Sequence, residues 1–131
     1  MNTIKIIIEK TKDQYTAYAE NVEGIYGGGD TVAEAKESIL DALRLFKKHN
    51  KKSLPKILRD NYTLAFKFDT QSLLNYYKGI FTNASFERIT GIQQKQIQHY
   101  ASGLKKPRLA QKKKIEASLH QLASELLAVE L

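Results

Sequence analysis

The run Gln93-Gln94-Lys95-Gln96-Ile97-Gln98-His99-Tyr100 confines its apolar residues to Ile97 and Tyr100 and fills the rest with glutamine, lysine and histidine. A glutamine amide presents a donor and an acceptor side by side and can bond adenine in a bidentate manner; lysine donates to guanine or to phosphate. A helix shaped only for stability would more often mix glutamate among its lysines, and this run has none. Gln93, Gln94, Lys95, Gln98 and His99 are therefore candidate contacts to base edges. The loop Ser102-Gly103-Leu104-Lys105-Lys106-Pro107-Arg108 follows directly. Lys105, Lys106 and Arg108, with free backbone amides beside them, suit a passing phosphate backbone, where contacts fix register and make affinity salt-dependent. The plainer alternative is a small helical bundle with a basic rim.

Charge is distributed in the same sense. The 131-residue chain carries a formal +7. Lys78, Arg88, Lys95, Lys105, Lys106, Arg108, Lys112, Lys113 and Lys114 are opposed in their stretch only by Glu87. The first thirty residues, in contrast, set Lys5, Lys10 and Lys12 against Glu9, Asp13, Glu20, Glu23 and Asp30. A basic half joined to a balanced half implies two tasks, the second with a polyanion.

Other chemistries find little footing. There is no cysteine, which excludes disulfides, thiolate metal sites and cysteine nucleophiles. His49, His99 and His120 lack metal-ligand spacing, so no metal and no cofactor is expected. Metal-dependent phosphodiester cleavage would need several carboxylates to converge. Glu9, Glu20, Glu23 and Asp30 fall at predicted strand ends or turns, so no catalytic residue is assigned and the chain is expected not to be an enzyme. Gly27-Gly28-Gly29 lacks the lysine and hydroxyl of a phosphate-binding loop and reads as a turn that leaves regular structure. The N-terminal apolar run is only Ile6-Ile7-Ile8, too short for a signal peptide or a membrane span. A soluble, cytoplasmic protein without a membrane partner is expected.

The elements that would position these residues fall into two sets. Thr3–Lys10 and Tyr15–Glu20 read as an antiparallel hairpin, with a third short strand at Gly24–Gly27. Thr31 and Glu34 fit a capping box in which Glu34 reaches back to the cap amide. Val32, Ala35, Ile39, Ala42, Leu43 and Phe46 then recur at helical spacing. Pro55 breaks the chain, and Tyr62, Leu64, Phe66 and Phe68 alternate as a fourth strand. After Asp69 the period becomes helical. Asp69 or Thr70 can cap a helix with Leu73, Leu74, Tyr77 and Ile80; Asn83 or Ser85 can cap one with Phe86 and Ile89 that Gly91 stops. Gln93 opens a third, ended by Gly103, and a long last helix carries Ile115, Leu119, Leu122, Leu126 and Val129. That stripe is either core or a seam with a second subunit. The expected fold class is α+β: a βββαβ domain over residues 1–69, then an all-α domain over residues 70–131.

A short helix, a glycine turn and a second helix is the geometry that offers one helix to the major groove. Thr90-Gly91-Ile92, Ile97 and Tyr100-Ala101-Ser102-Gly103-Leu104-Lys105-Lys106-Pro107 resemble the second half of a Cro/repressor-type helix-turn-helix. That family usually has alanine four residues before the glycine, where this chain has Glu87. Either the helices sit further apart or Glu87 turns outward. Proteins of this type commonly read two half-sites about 34 Å apart as symmetric dimers, which implies a double-stranded operator and a homodimer or higher homo-oligomer.

Ile6-Ile7-Ile8-Glu9-Lys10, Tyr15-Thr16-Ala17-Tyr18, Gly24 and Gly29-Asp30-Thr31-Val32-Ala33-Glu34-Ala35 are similar to the HicB antitoxin family. That family pairs a partial RNase H-like domain with a DNA-binding domain. The resemblance implies a small, basic, mRNA-cleaving HicA-like toxin held inactive by the N-terminal domain, with the C-terminal domain repressing the shared operon. Tyr15, Tyr18 and Tyr26 are candidate toxin contacts or sheet core. Two further readings stand beside this one: a stand-alone helix-turn-helix regulator whose N-terminal domain senses a ligand or dimerises, and a nuclease-like enzyme that holds nucleic acid with its basic half.

Overall fold

Isoleucine at alternate and adjacent positions makes Asn2–Lys10 a strand, β1, and the polar Thr11–Gln14 turn returns the chain as β2, Tyr15–Ala19. The computed structural model describes residues 2–131 as a mixed α/β protein with a four-stranded mixed sheet and six α-helices. Strand β3 is Tyr26–Gly29, and β4 is Tyr62–Phe68. The sheet order is β3-β2-β1-β4, antiparallel except that β4 runs parallel to β1, with Asn2 opposite Tyr62 and Ile8 opposite Phe68.

Helix α1, Val32–His49, covers one face. Its buried residues Val32, Ala35, Ile39 and Leu43 meet Ile4, Ile6, Ile8 and Ala17 of the sheet. Burying each such aliphatic side chain contributes about 1.5–3 kcal/mol relative to leaving it in water. The Thr31 hydroxyl accepts from the Glu34 amide at 3.1 Å, as its position in the sequence suggests. The Glu34 carboxylate, however, accepts from the Asp30 amide at 2.9 Å, one residue earlier than the expected cap amide.

The glycine triplet does not leave regular structure. It forms most of β3, and the strand begins at Tyr26, two residues later than its sequence suggests, because Gly24 takes the turn with φ 87°. A Cβ on Gly27 would stand 2.6 Å from the Ile39 backbone nitrogen, and one on Gly29 would stand 2.5 Å from Glu34 Cβ. Glycine is used here so that α1 can lie on the strand at a separation that no side chain permits. A short helix that the sequence did not announce, α2 at Lys56–Arg59, follows Pro55 and buries Leu58. Pro55 holds φ at −55° and so presets the entry to this turn rather than only breaking the chain.

Helix α3, Thr70–Tyr76, starts where the Asp69 carboxylate accepts from the Ser72 amide at 2.8 Å. It tightens into a 3-10 turn at Tyr77–Gly79, which leaves Ile80 outside the helix and 71% exposed. The expected helix through Ile80 is thus too long. The chain divides into two compact units, Met1–Ser72 and Leu73–Leu131.

In the second unit, α4 is Asn83–Thr90, α5 is Gln94–Ser102 and α6 is Leu109–Leu127. The cap of α4 is Thr82 rather than Asn83 or Ser85. Its backbone is the last extended one, and its hydroxyl accepts from the Ser85 amide at 3.0 Å. Leu74, Phe86, Ile92, Ile97, Tyr100 and Ile115 form the core, flanked by Leu73, Tyr77, Phe81 and Leu119. The α6 stripe enters this core only in part. Ile115 is buried, Leu119 and Leu122 are half-buried, Leu126 is exposed, and Val129 lies beyond the helix end. Among the described residues, no helix is long and apolar enough to cross a membrane.

Candidate nucleic-acid interface

The connection between α4 and α5 is Gly91-Ile92-Gln93, and each residue has a separate mechanical part. Gly91 adopts φ 77°, and its amide bonds the Glu87 carbonyl at 2.7 Å, closing α4 in the left-handed conformation that glycine enters without steric cost. Ile92 is buried against the core. Its amide donates to the Thr90 hydroxyl at 3.1 Å, and that hydroxyl donates to the Phe86 carbonyl at 2.6 Å, so the buried amide and hydroxyl are both satisfied within the turn. Gln93, expected to open the helix, is instead its cap residue, with α5 beginning at Gln94.

Gln93 offers no side-chain bond as a cap. Glu87 supplies one from seven residues away: its carboxylate accepts from the Gln94 amide at 3.1 Å. A carboxylate at a helix N-terminus satisfies a free amide and opposes the positive end of the helix dipole. Glu87 thus ties α4 to the start of α5. Sequence reasoning missed this role because the bond joins residues that no local capping pattern relates.

Gln93, Gln94, Lys95 and Gln98 are all exposed on or next to one face of α5. Gln98 is partly engaged, since its carbonyl accepts from the Asn83 amide group at 2.7 Å. That pairing leaves the Gln98 amide hydrogens and the Asn83 carbonyl oxygen available, so Asn83 joins the set from the first turn of α4. His99 differs from the others. It is half-buried, and its Nδ1 is shielded from solvent without a hydrogen-bond partner, so it is a poorer candidate for a base edge than its position in the run suggests. Its backbone carbonyl does structural work, accepting from the Lys105 amide at 3.2 Å and the Ser102 hydroxyl at 3.2 Å.

Lys105, Lys106 and Arg108 are exposed on the loop that leaves α5 through Gly103, whose φ is 83°. The ion pairs Lys5–Glu20 and Asp41–Arg44 both lie in the first unit, and among the described residues none is found at Lys105, Lys106 or Arg108. The loop cations therefore have no carboxylate within 4.0 Å. With Gln96, Tyr100 and Gln111 they line an open cavity of about 550 Å³. Gln96, Tyr100 and Gln111 were not singled out by the sequence; the i, i+4 placement of Gln96 and Tyr100 was the available signal. Arg108 is the residue that precedes α6, and its guanidinium, a donor only, can make no cap bond to the helix amides.

The other candidate chemistries are not assembled. Among the described residues, no group of three or more histidines, aspartates or glutamates is placed to hold a metal ion. His49 and His120 are exposed. In the first unit, Ile7, Tyr18 and Tyr26 are register neighbours across three strands, on the face opposite to Ile6 and Ile8. Tyr26 is exposed, while Tyr15 and Tyr18 are half-buried. Burial, then the Glu9 and Glu20 carboxylates, raise the Tyr18 hydroxyl pKa above its usual range.

No family model, curated protein or solved structure matches the chain.

Proposed function

We propose that the chain is a DNA-binding antitoxin of a type II toxin–antitoxin pair. In this reading α4, the Gly91 turn and α5 form a helix-turn-helix behind a βββαβ, partial RNase H-like domain. Gln94, Lys95 and Gln98 read operator base edges, Gln93 and Asn83 assist them, and Lys105, Lys106 and Arg108 hold the phosphate backbone. The N-terminal domain neutralises a HicA-like mRNA-cleaving toxin, and the protein acts by binding rather than catalysis, in the cytoplasm and as a dimer or higher homo-oligomer.

One observation carries the DNA-binding half. A glutamine and lysine face that carries no carboxylate of its own, and that Glu87 caps from α4, adjoins a loop of three cations with no ion-pair partners. A merely solvated surface gains nothing from keeping cations unpaired beside amides able to read base edges, whereas a polyanion-binding surface does. The toxin-binding half rests on the HicB-like residues of the first unit and on the exposed Tyr26 ring of β3.

Tagged full-length chain, expressed with the product of the adjacent gene, tests both halves. The expected result is a stoichiometric small basic protein, toxic when expressed alone, together with retardation of the chain's own promoter DNA. Promoter binding without a partner would turn the assignment to a stand-alone regulator. Neither activity would refute it entirely.

A further inference from the structure

The cavity beside α5 borders the base-reading side without sharing it. At about 100° per residue, Gln96 stands about 100° and Tyr100 about 140° round the helix from Lys95. Its walls are Gln96, Tyr100, Lys105, Lys106, Arg108 and Gln111, with three cations and no carboxylate among them. Like charges gathered around one concavity repel each other, so the arrangement favours an anion within it. The loop is also held in place. The Gly103 amide bonds the Tyr100 carbonyl at 3.3 Å, and the Lys105 amide bonds the His99 carbonyl at 3.2 Å, so the cations are presented on a pinned backbone.

The neutral groups define the anion further. Gln96 Nε2 donates to the Tyr100 hydroxyl at 2.9 Å, which leaves the tyrosine O–H free to donate outward. The guanidinium of Arg108 offers a planar fork suited to phosphoryl or carboxylate oxygens, and the lysines add compact point charges. At about 550 Å³ the cavity has room for more than one tetrahedral group. Tyr100 is 3% exposed, so its ring has no face on which a nucleobase could stack. Phosphate oxygens, rather than a base or an apolar ligand, fit this lining.

We propose that the cavity is a phosphoryl-binding site filled either by a backbone phosphate of bound DNA or by a soluble di- or triphosphate group, one excluding the other. Soluble polyphosphate would then release the operator by occupying the loop rather than by reshaping α5. This deepens the DNA-binding reading and rests on it only for the DNA source.

Amide resonances of the full-length chain are followed during titration with inorganic pyrophosphate, at ionic strength held constant with sodium chloride. The expected response saturates and is confined to Gln96, Tyr100 and the segment from Lys105 to Gln111. Lys106→Ala and Arg108→Ala should each weaken it by roughly five- to tenfold. Lys113→Ala removes the same charge from an exposed position on α6 outside the lining. It should change the affinity by less than about twofold, as expected of a screened surface charge. A response that never saturates, or equal losses in all three variants, overturns the site. In a second arm the titration is repeated with promoter DNA bound. Loss of the pyrophosphate response supports the shared site, and an unchanged response overturns mutual exclusion. Saturable pyrophosphate binding by a chain that does not bind DNA would refute the DNA reading while supporting the cavity with a soluble ligand.

Discussion

Replacing Lys105 and Lys106 together by alanine removes two exposed cations without touching the core. Each phosphate contact to duplex DNA contributes about 0.9 to the slope of log affinity against log salt. If both lysines make such contacts, the slope flattens by about 1.8. Between 50 and 200 mM salt, a factor of four or about 0.6 log units, the advantage of wild type over variant should therefore shrink roughly twelvefold. The loss should be nearly uniform across DNA sequences, because phosphates carry no base identity. Fluorescence anisotropy with a promoter fragment and a scrambled duplex, each at four or more salt concentrations, measures both quantities. An unchanged slope, or a loss confined to one sequence, would refute the assignment of this loop to the backbone.

Gln94→Ala should act in the opposite manner, leaving the salt slope intact while lowering promoter-over-scrambled discrimination by about 1–3 kcal/mol, readable in the same titrations. Glu87→Ala removes the only side-chain bond to the Gln94 amide that the structure shows and should cost about 0.5–2 kcal/mol in urea unfolding, with helical content otherwise retained. Gly27→Ala drives a Cβ to 2.6 Å from the Ile39 backbone and should cost about 1–3 kcal/mol or more as overpacking. Gly91→Ala meets nothing nearer than 3.8 Å, so its cost should be about 1–2 kcal/mol, from the left-handed backbone alone. In urea unfolding, a cost below about 1 kcal/mol for Gly27→Ala, or above about 2 kcal/mol for Gly91→Ala, would contradict that division.

What could be read ahead of the structure was what neighbouring residues decide among themselves. Thr31 declares its helix because cap and helix lie within four residues. The alternation from Tyr62 to Phe68 marks a strand, and Gly91 and Gly103 mark helix ends where positive φ is needed. The sequence offered Asn83 or Ser85 as the cap of α4 and passed over Thr82, although all three side chains can cap. The backbone angles at Thr82 settle it. The glycines of β3 were misread because their reason lies in α1, which presses on the strand from ten or so residues later. The bond from the Gln94 amide to Glu87 was missed for the same kind of reason, and His99 was read as exposed although it is half-buried. The cavity was invisible because its walls come from α5, the following loop and the first turn of α6, which meet only after the helices pack.

The parallel pairing of β1 with β4 has a consequence for the nascent chain. Asn2 waits for Tyr62, a separation of sixty residues, and the central isoleucine strand therefore has one unsatisfied edge during most of the synthesis of its unit. At about 5–20 residues per second that interval is roughly 3–12 s. An unpaired apolar edge is a template for another chain. The last strand thus serves as a seal, and a ribosome stalled before Phe68 would release a product prone to aggregate rather than a partly working one.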